Sequence, residues 1–149
     1  EHIKLTKGET IQFENDLVDD NLNDLTWWTT KHNNYATREA VDILNIIHEF
    51  INYDEVNSNF FGTQEERKRF LKKKYANLPL FTRPFIYFLW RYFIKLGFLD
   101  GKQGLIWHFL QGFWYRFLVD AKIYEIEKKS KDSNLSLKDT LIQKYGFKL

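Results

Sequence analysis

Four histidines, His2, His32, His48 and His108, are the side chains best suited to move a proton or hold a metal. His32 and His48 fall on one helical stretch but not at metal-ligand spacing, and no His-Glu-x-x-His pattern occurs. Asp19-Asp20 is a single carboxylate pair, too few oxygens to hold a hard cation by itself. The chain has no Cys, which removes thiolate metal sites, Cys-His nucleophiles and disulfides, and suits a reducing compartment. No Gly-rich phosphate loop follows a strand. The turn Gly97-Phe98-Leu99-Asp100-Gly101 is bounded by glycines but ends in an acid, so it reads as a tight helix connection. Nothing resembles a Ser-His-Asp set. The residues therefore define no self-contained active site and no metal site.

The elements that would position these groups are mainly helical. At 149 residues the chain can bury one domain core. It opens at Glu1, contains no Met and shows no signal peptide, which implies a processed or truncated N-terminus. Residues 3–13 alternate as Ile3, Leu5, Ile11 and Phe13 about Lys7-Gly8, predicting a short β-hairpin. An acidic, Asn-rich loop over 14–24 ends in Asn23 and Asp24, either of which can cap a helix. Leu25, Trp28, His32, Tyr35, Ala36, Ala40, Ile43, Ile47 and Phe50 then make one stripe on a long amphipathic helix over roughly 24–52. Thr63 and Glu66 form a capping box that starts a second, basic helix running to about Tyr75. Pro79 and Arg83-Pro84 punctuate the chain before an apolar segment from Phe85 to Leu96. After the Gly97–Gly101 break, a fourth helix is expected from near Lys102 to about Lys129, and Ser136 with Asp139 caps a last short one over 136–145. The expected fold is mainly α, divided as 1–24, 25–62, 63–130 and 131–149.

Charge and aromatic content are both uneven. Residues 1–62 carry 12 acids and 4 bases, a net of −8, whereas 63–149 carry 8 acids and 18 bases, a net of +10. Of 27 Phe, Trp and Tyr residues, 14 lie between Phe81 and Phe117. A bilayer-spanning helix needs about 20 apolar residues. The longest stretch here without Asp, Glu, Lys or Arg, Gly104 to Tyr115, has 12. Aromatic helices bordered by Lys and Arg fit the lipid–water interface instead. On this reading Arg67, Lys68, Lys72, Lys73 and Lys74 face an anionic membrane surface, and Phe85, Trp90, Trp107 and Trp114 enter it. Other readings remain open: a solvated basic face, or an apolar helix buried in a core that another domain completes. Nucleic acid is the rival anion, and is disfavoured because the rings accompany Leu and Ile rather than standing on a polar surface.

Several strings, in order, carry a resemblance. Lys31-His32-Asn33-Asn34-Tyr35-Ala36 with Arg38-Glu39-Ala40 is similar to the "KHNRYA…EA" helix of bacterial family 2 glycosyltransferases. Arg83-Pro84-Phe85 through Tyr92, then Gly97-Phe98-Leu99-Asp100-Gly101 and Gly104-Leu105, resembles their "RPx…YxxxxGFLDGxxG" stretch. Phe113-Trp114-Tyr115-Arg116-Phe117-Leu118 with Ala121-Lys122 resembles the "FWYRFLxxAK" that follows. The resemblance covers roughly residues 1–125 and points to enzymes of lipopolysaccharide-core and exopolysaccharide assembly. It implies a C-terminal region, starting with the end of a GT-A α/β domain and continuing as a helical extension. The nucleotide-sugar site and its Asp-x-Asp metal motif, holding Mg or Mn, would lie in an upstream domain, because this chain has no Asp-x-Asp. Glu1-His2 resembles the boundary "HE", making Glu1 a candidate general base for an acceptor hydroxyl. Lys31, His32 and Tyr35 match positions beside the donor or acceptor pocket, and Asn34 stands where the family has Arg. The implied activity is sugar transfer to a lipid-linked or envelope glycan acceptor at the cytoplasmic face of the bacterial inner membrane. A non-enzymatic peripheral membrane module is the alternative.

Overall fold

The computed structural model describes residues 7–9, 11, 14–15, 22–51 and 59–147. Among these the chain is mainly helical and no strand occurs. Glu1, His2 and most of the predicted hairpin over 3–13 lie outside the described residues.

Helix α1 (Leu25–His48) starts where Asp24 accepts a hydrogen bond from the Trp27 amide at 2.8 Å, one of the four amides a helix start leaves unpaired. It ends at Glu49, whose φ of 50° gives the left-handed stop. Asn45 secures the chain beyond that stop: its side chain accepts from Ile51 N at 2.7 Å and donates to Ile51 O at 3.1 Å. Helix α2 (Gln64–Ala76) carries the predicted capping box, with Thr63 and Glu66 satisfying each other's backbone amides. Helix α3 (Thr82–Leu89) opens two residues before Pro84, whose missing N–H falls among the donors that a helix start leaves free anyway. It continues as a π-helical turn, Trp90–Ile94. A 3-10 turn (Gly97–Asp100) leads into α4 (Gly101–Trp107), a second π-helical segment (His108–Trp114), α5 (Tyr115–Ser133) and α6 (Leu137–Tyr145), which Ser136 caps. The expected fourth helix is thus present as an unbroken helical run from Gly101 to Ser133, with the π segment as a wider stretch between α4 and α5.

Two bodies of packing result. α1 and α5 lie along each other, with α6 against α5 and α2 against α1. Their core is aliphatic: Ala36, Ala40, Ile43 and Leu44 from α1 meet Val119, Ile123 and Ile126 from α5 and Leu141 from α6. The small alanines let the two long helices approach closely. Beyond this core, α3 with its π turn and α4 with its π segment form a helical hairpin held by rings. Phe85 meets Phe113 with centroids 4.5 Å apart, Phe88 meets Phe109 at 6.3 Å, and Tyr92 meets His108 at 6.0 Å.

The glycines at the hairpin's bend have steric reasons. A Cβ on Gly97 would lie 2.3 Å from Nε2 of the buried His108 ring, and one on Gly104 would lie 2.6 Å from the Gly97 carbonyl oxygen. Gly101 sits at φ 65° and ψ −146°, a conformation essentially confined to glycine. The "GFLDGxxG" pattern is therefore the geometry of a helical bend whose two arms touch.

Candidate functional site

Arg83 ties the hairpin to the core. The side chain is fully buried, donating from Nε to Asp120 Oδ1 at 2.7 Å and from Nη2 to the same oxygen. Its Nη1 donates to the Ala76 and Tyr75 carbonyls at 2.9 and 3.3 Å, closing the C-terminal end of α2. Asp120 Oδ2 accepts from the Phe81 amide at 2.8 Å, and Phe81 holds φ at 67°, unusual for a bulky residue. One ion pair thus joins the end of α2, the start of α3 and the middle of α5. Arg116 adds a cation–aromatic stack, its guanidinium 4.4 Å from the Tyr87 ring centre and 5.3 Å from that of Tyr75. Burial pushes the Tyr75 hydroxyl up to about 12, a rise the nearby Arg116 charge opposes.

The outer surface of the hairpin is apolar. Of 26 large apolar side chains exposed among the described residues, 13 fall between Phe85 and Phe109. They run along α3 and its π turn (Leu89, Trp90, Phe93, Ile94), round the bend (Leu96, Phe98, Leu99) and back along α4 (Leu105, Ile106, Trp107). Cations border the band: Arg91 lies over Tyr87 at 5.7 Å and Lys95 over Trp90 at 5.3 Å. Large apolar side chains exposed in such number on one hairpin exceed the single scattered ones of an ordinary surface.

The expected membrane residues divide accordingly. Phe85, Trp90 and Trp107 are exposed at 51%, 45% and 50%, as members of the band. Trp114 is not: it is partly buried and packs on the core, 6.1 Å from Trp28. The basic helix α2 is partly committed within the fold. Lys72 reaches Glu39 at 3.3 Å and Asp42 at 3.5 Å, so α2 leans on the acidic side of α1 instead of offering this cation outward. Arg67 lies over Phe60 at 5.1 Å and Lys74 over Phe70 at 5.7 Å; Lys68 is exposed.

Lys31, His32 and Tyr35 cluster on the first half of α1. The His32 ring stacks on Trp28 with centroids 3.6 Å apart, its Nδ1 is 2.8 Å from the Trp28 carbonyl, and its face meets the Tyr115 ring edgewise at 5.5 Å. Lys31 Nζ lies over Trp27 at 4.6 Å and over Tyr35 at 5.6 Å. Burial also pushes the Tyr115 hydroxyl up to about 12. Beside this cluster a cleft of about 440 Å³ opens between the start of α1 and α4, walled by Leu25, Trp28, Ile106, Trp107 and Leu110. Asn23, Asp24 and Gln103 complete its lining. Among the described residues no three His, Cys, Asp or Glu side chains gather as metal ligands, and no helix is long and apolar enough to cross a membrane.

Scanned against family models, curated proteins and solved structures, the chain finds no match.

Asp120 and His108 were not singled out from the sequence as partners. For Asp120 a signal exists: it is a lone acid between Val119 and Ile123, on the face of α5 that otherwise carries core residues. His108 pairs with a glycine, and nothing local in sequence announces a ring lying over Gly97.

Proposed function

We propose that this chain is the membrane-docking C-terminal region of a family 2 glycosyltransferase. The full enzyme would move a sugar from a nucleotide donor to a lipid-linked or envelope glycan acceptor at the cytoplasmic face of the bacterial inner membrane. The observation that carries the docking role is the band of 13 exposed apolar side chains on one hairpin, edged by Arg91 and Lys95. Half-exposed side chains of this size give roughly 1 kcal/mol each on entering an apolar phase, so the band offers on the order of 10 kcal/mol. Each base held near anionic lipid adds about 1 kcal/mol. Ring insertion dominates and charge tunes it.

The enzymatic part of the proposal rests on the ordered strings of the sequence. The geometry supports it to this extent: Arg83, Gly97, Gly101 and Gly104 all stand where the hairpin requires their residue types. Any Mg or Mn would be held by an Asp-x-Asp domain upstream of Glu1, and the end of that GT-A domain would be continuous with residues 1–24. Glu1 would be the general base at that junction, and Lys31, His32 and Tyr35 would flank the pocket. A non-enzymatic peripheral membrane module accounts for the same band and differs in lacking such a domain upstream.

Flotation with phosphatidylglycerol-containing vesicles tests the docking role. The chain is expected to float, with high salt lowering the bound fraction only in part. Ile94→Glu with Leu99→Glu is expected to lower it at least tenfold. A chain that stays at the bottom of the gradient, or a double variant that floats like the parent, overturns the proposal; tight RNA binding with no flotation selects the nucleic-acid reading instead.

A further inference from the structure

We infer that the cleft between the start of α1 and α4 holds a single hydrocarbon chain, that of the lipid carrying the acceptor; this rests on the docking role above and names the class of substrate it serves. Leu25, Trp28, Ile106, Trp107 and Leu110 line it together with Asn23, Asp24 and Gln103, and the surface it presents is nearly all apolar. A sugar or nucleotide needs several convergent hydrogen-bonding groups, and this lining presents little polar surface. The Asp24 carboxylate is already engaged in capping the Trp27 amide at 2.8 Å. A space of about 440 Å³ lies toward the small end of ligand pockets, fitting a segment of one chain.

Position is the stronger argument. Ile106 and Trp107 belong both to the cleft wall and to the exposed apolar band, 55% and 50% exposed. The opposite wall is Trp28, on which the His32 ring stacks at 3.6 Å. The cleft therefore joins the surface that meets the bilayer to the cluster of Lys31, His32 and Tyr35. A lipid whose head group reaches that cluster must lay part of its tail across this gap, and an apolar trough there spares the tail from water. A water-soluble glycan acceptor would have no use for it.

The test uses the fluorescent polyene fatty acid cis-parinaric acid with the full chain in solution, alongside vesicle flotation. Leu110→Trp and Leu25→Trp each put a larger side chain into the lining; Leu25 is 57% exposed, so its replacement leaves the core untouched. Each is expected to weaken parinarate binding at least tenfold while flotation is kept. Ile94→Glu with Leu99→Glu, outside the cleft, is expected to do the reverse. Parinarate binding that is absent, or equal in the parent and both filling variants, overturns the inference while flotation stands. So does a dimer in sedimentation that Leu110→Trp dissociates, since a second copy would then be the occupant. A parent chain that binds parinarate in the cleft yet ignores vesicles supports the hydrocarbon site and overturns the docking role.

Discussion

Asp120 accepts from Arg83 Nε and Nη2 on one oxygen and from the Phe81 amide on the other, and both charged side chains are excluded from water. Removing one partner of such a pair leaves the other charge buried without compensation, at a cost of about 3–5 kcal/mol. Asp120→Ala is therefore expected to lower stability by that amount in urea unfolding followed by circular dichroism. The paired change of Arg83→Met with Asp120→Leu is expected to recover a large part of it, because no charge is then stranded. An Asp120→Ala chain within about 1 kcal/mol of the parent would show that the pair is not the tie described here. Half of this arrangement is legible in the sequence. Arg83 before Pro84 stands out in an apolar run, but its partner is 37 residues away, and only tertiary packing brings the two together.

The helices are legible where their signals are local. The capping box at Thr63 and the caps at Asp24 and Ser136 appear where the sequence places them, since a cap is decided by residues three apart. The bend and the π segments are not local in that sense. From near Lys102 to about Lys129 the sequence reads as one helix, and no local signal marks the wider turn at His108–Trp114, where a Cβ added to Gly112 would meet the Phe88 ring at 4.0 Å. Trp114, at the end of that stretch, packs on the core. The bend itself gives a sharp expectation. Gly104→Ala places a methyl 2.6 Å from a backbone oxygen that has no rotamer to yield, so a loss of about 1–3 kcal/mol is expected, read as a lower thermal transition. A transition equal to the parent's would mean that the arms of the bend are not in contact.

At the scale of the whole molecule, the division of charge has two uses. Some of it is internal: Lys72 of α2 meets Glu39 and Asp42 of α1, so opposite signs in the two halves help dock one helix on another. Two further cations, Arg91 and Lys95, lie beside the apolar band, over tyrosine and tryptophan rings. Composition located the band, with its rings concentrated between Phe81 and Phe117. Composition alone left open whether those rings turn inward or outward. Both occur: Phe88, Tyr92 and Phe113 hold the hairpin together, and the outer set remains in contact with solvent. The cleft beside His32 is a property of this scale too, since it lies between segments far apart in sequence.

Tryptophan fluorescence in vesicles whose acyl chains carry bromine tests the central claim most directly. Trp90 and Trp107 are expected to be quenched when the chain is mixed with such vesicles, while Trp114, packed on the core, is spared. The quenching should therefore largely disappear in the Trp90→Phe, Trp107→Phe chain while binding persists. Emission unchanged by brominated lipid, or quenching equally strong in the double variant, would contradict the insertion of this hairpin into the bilayer.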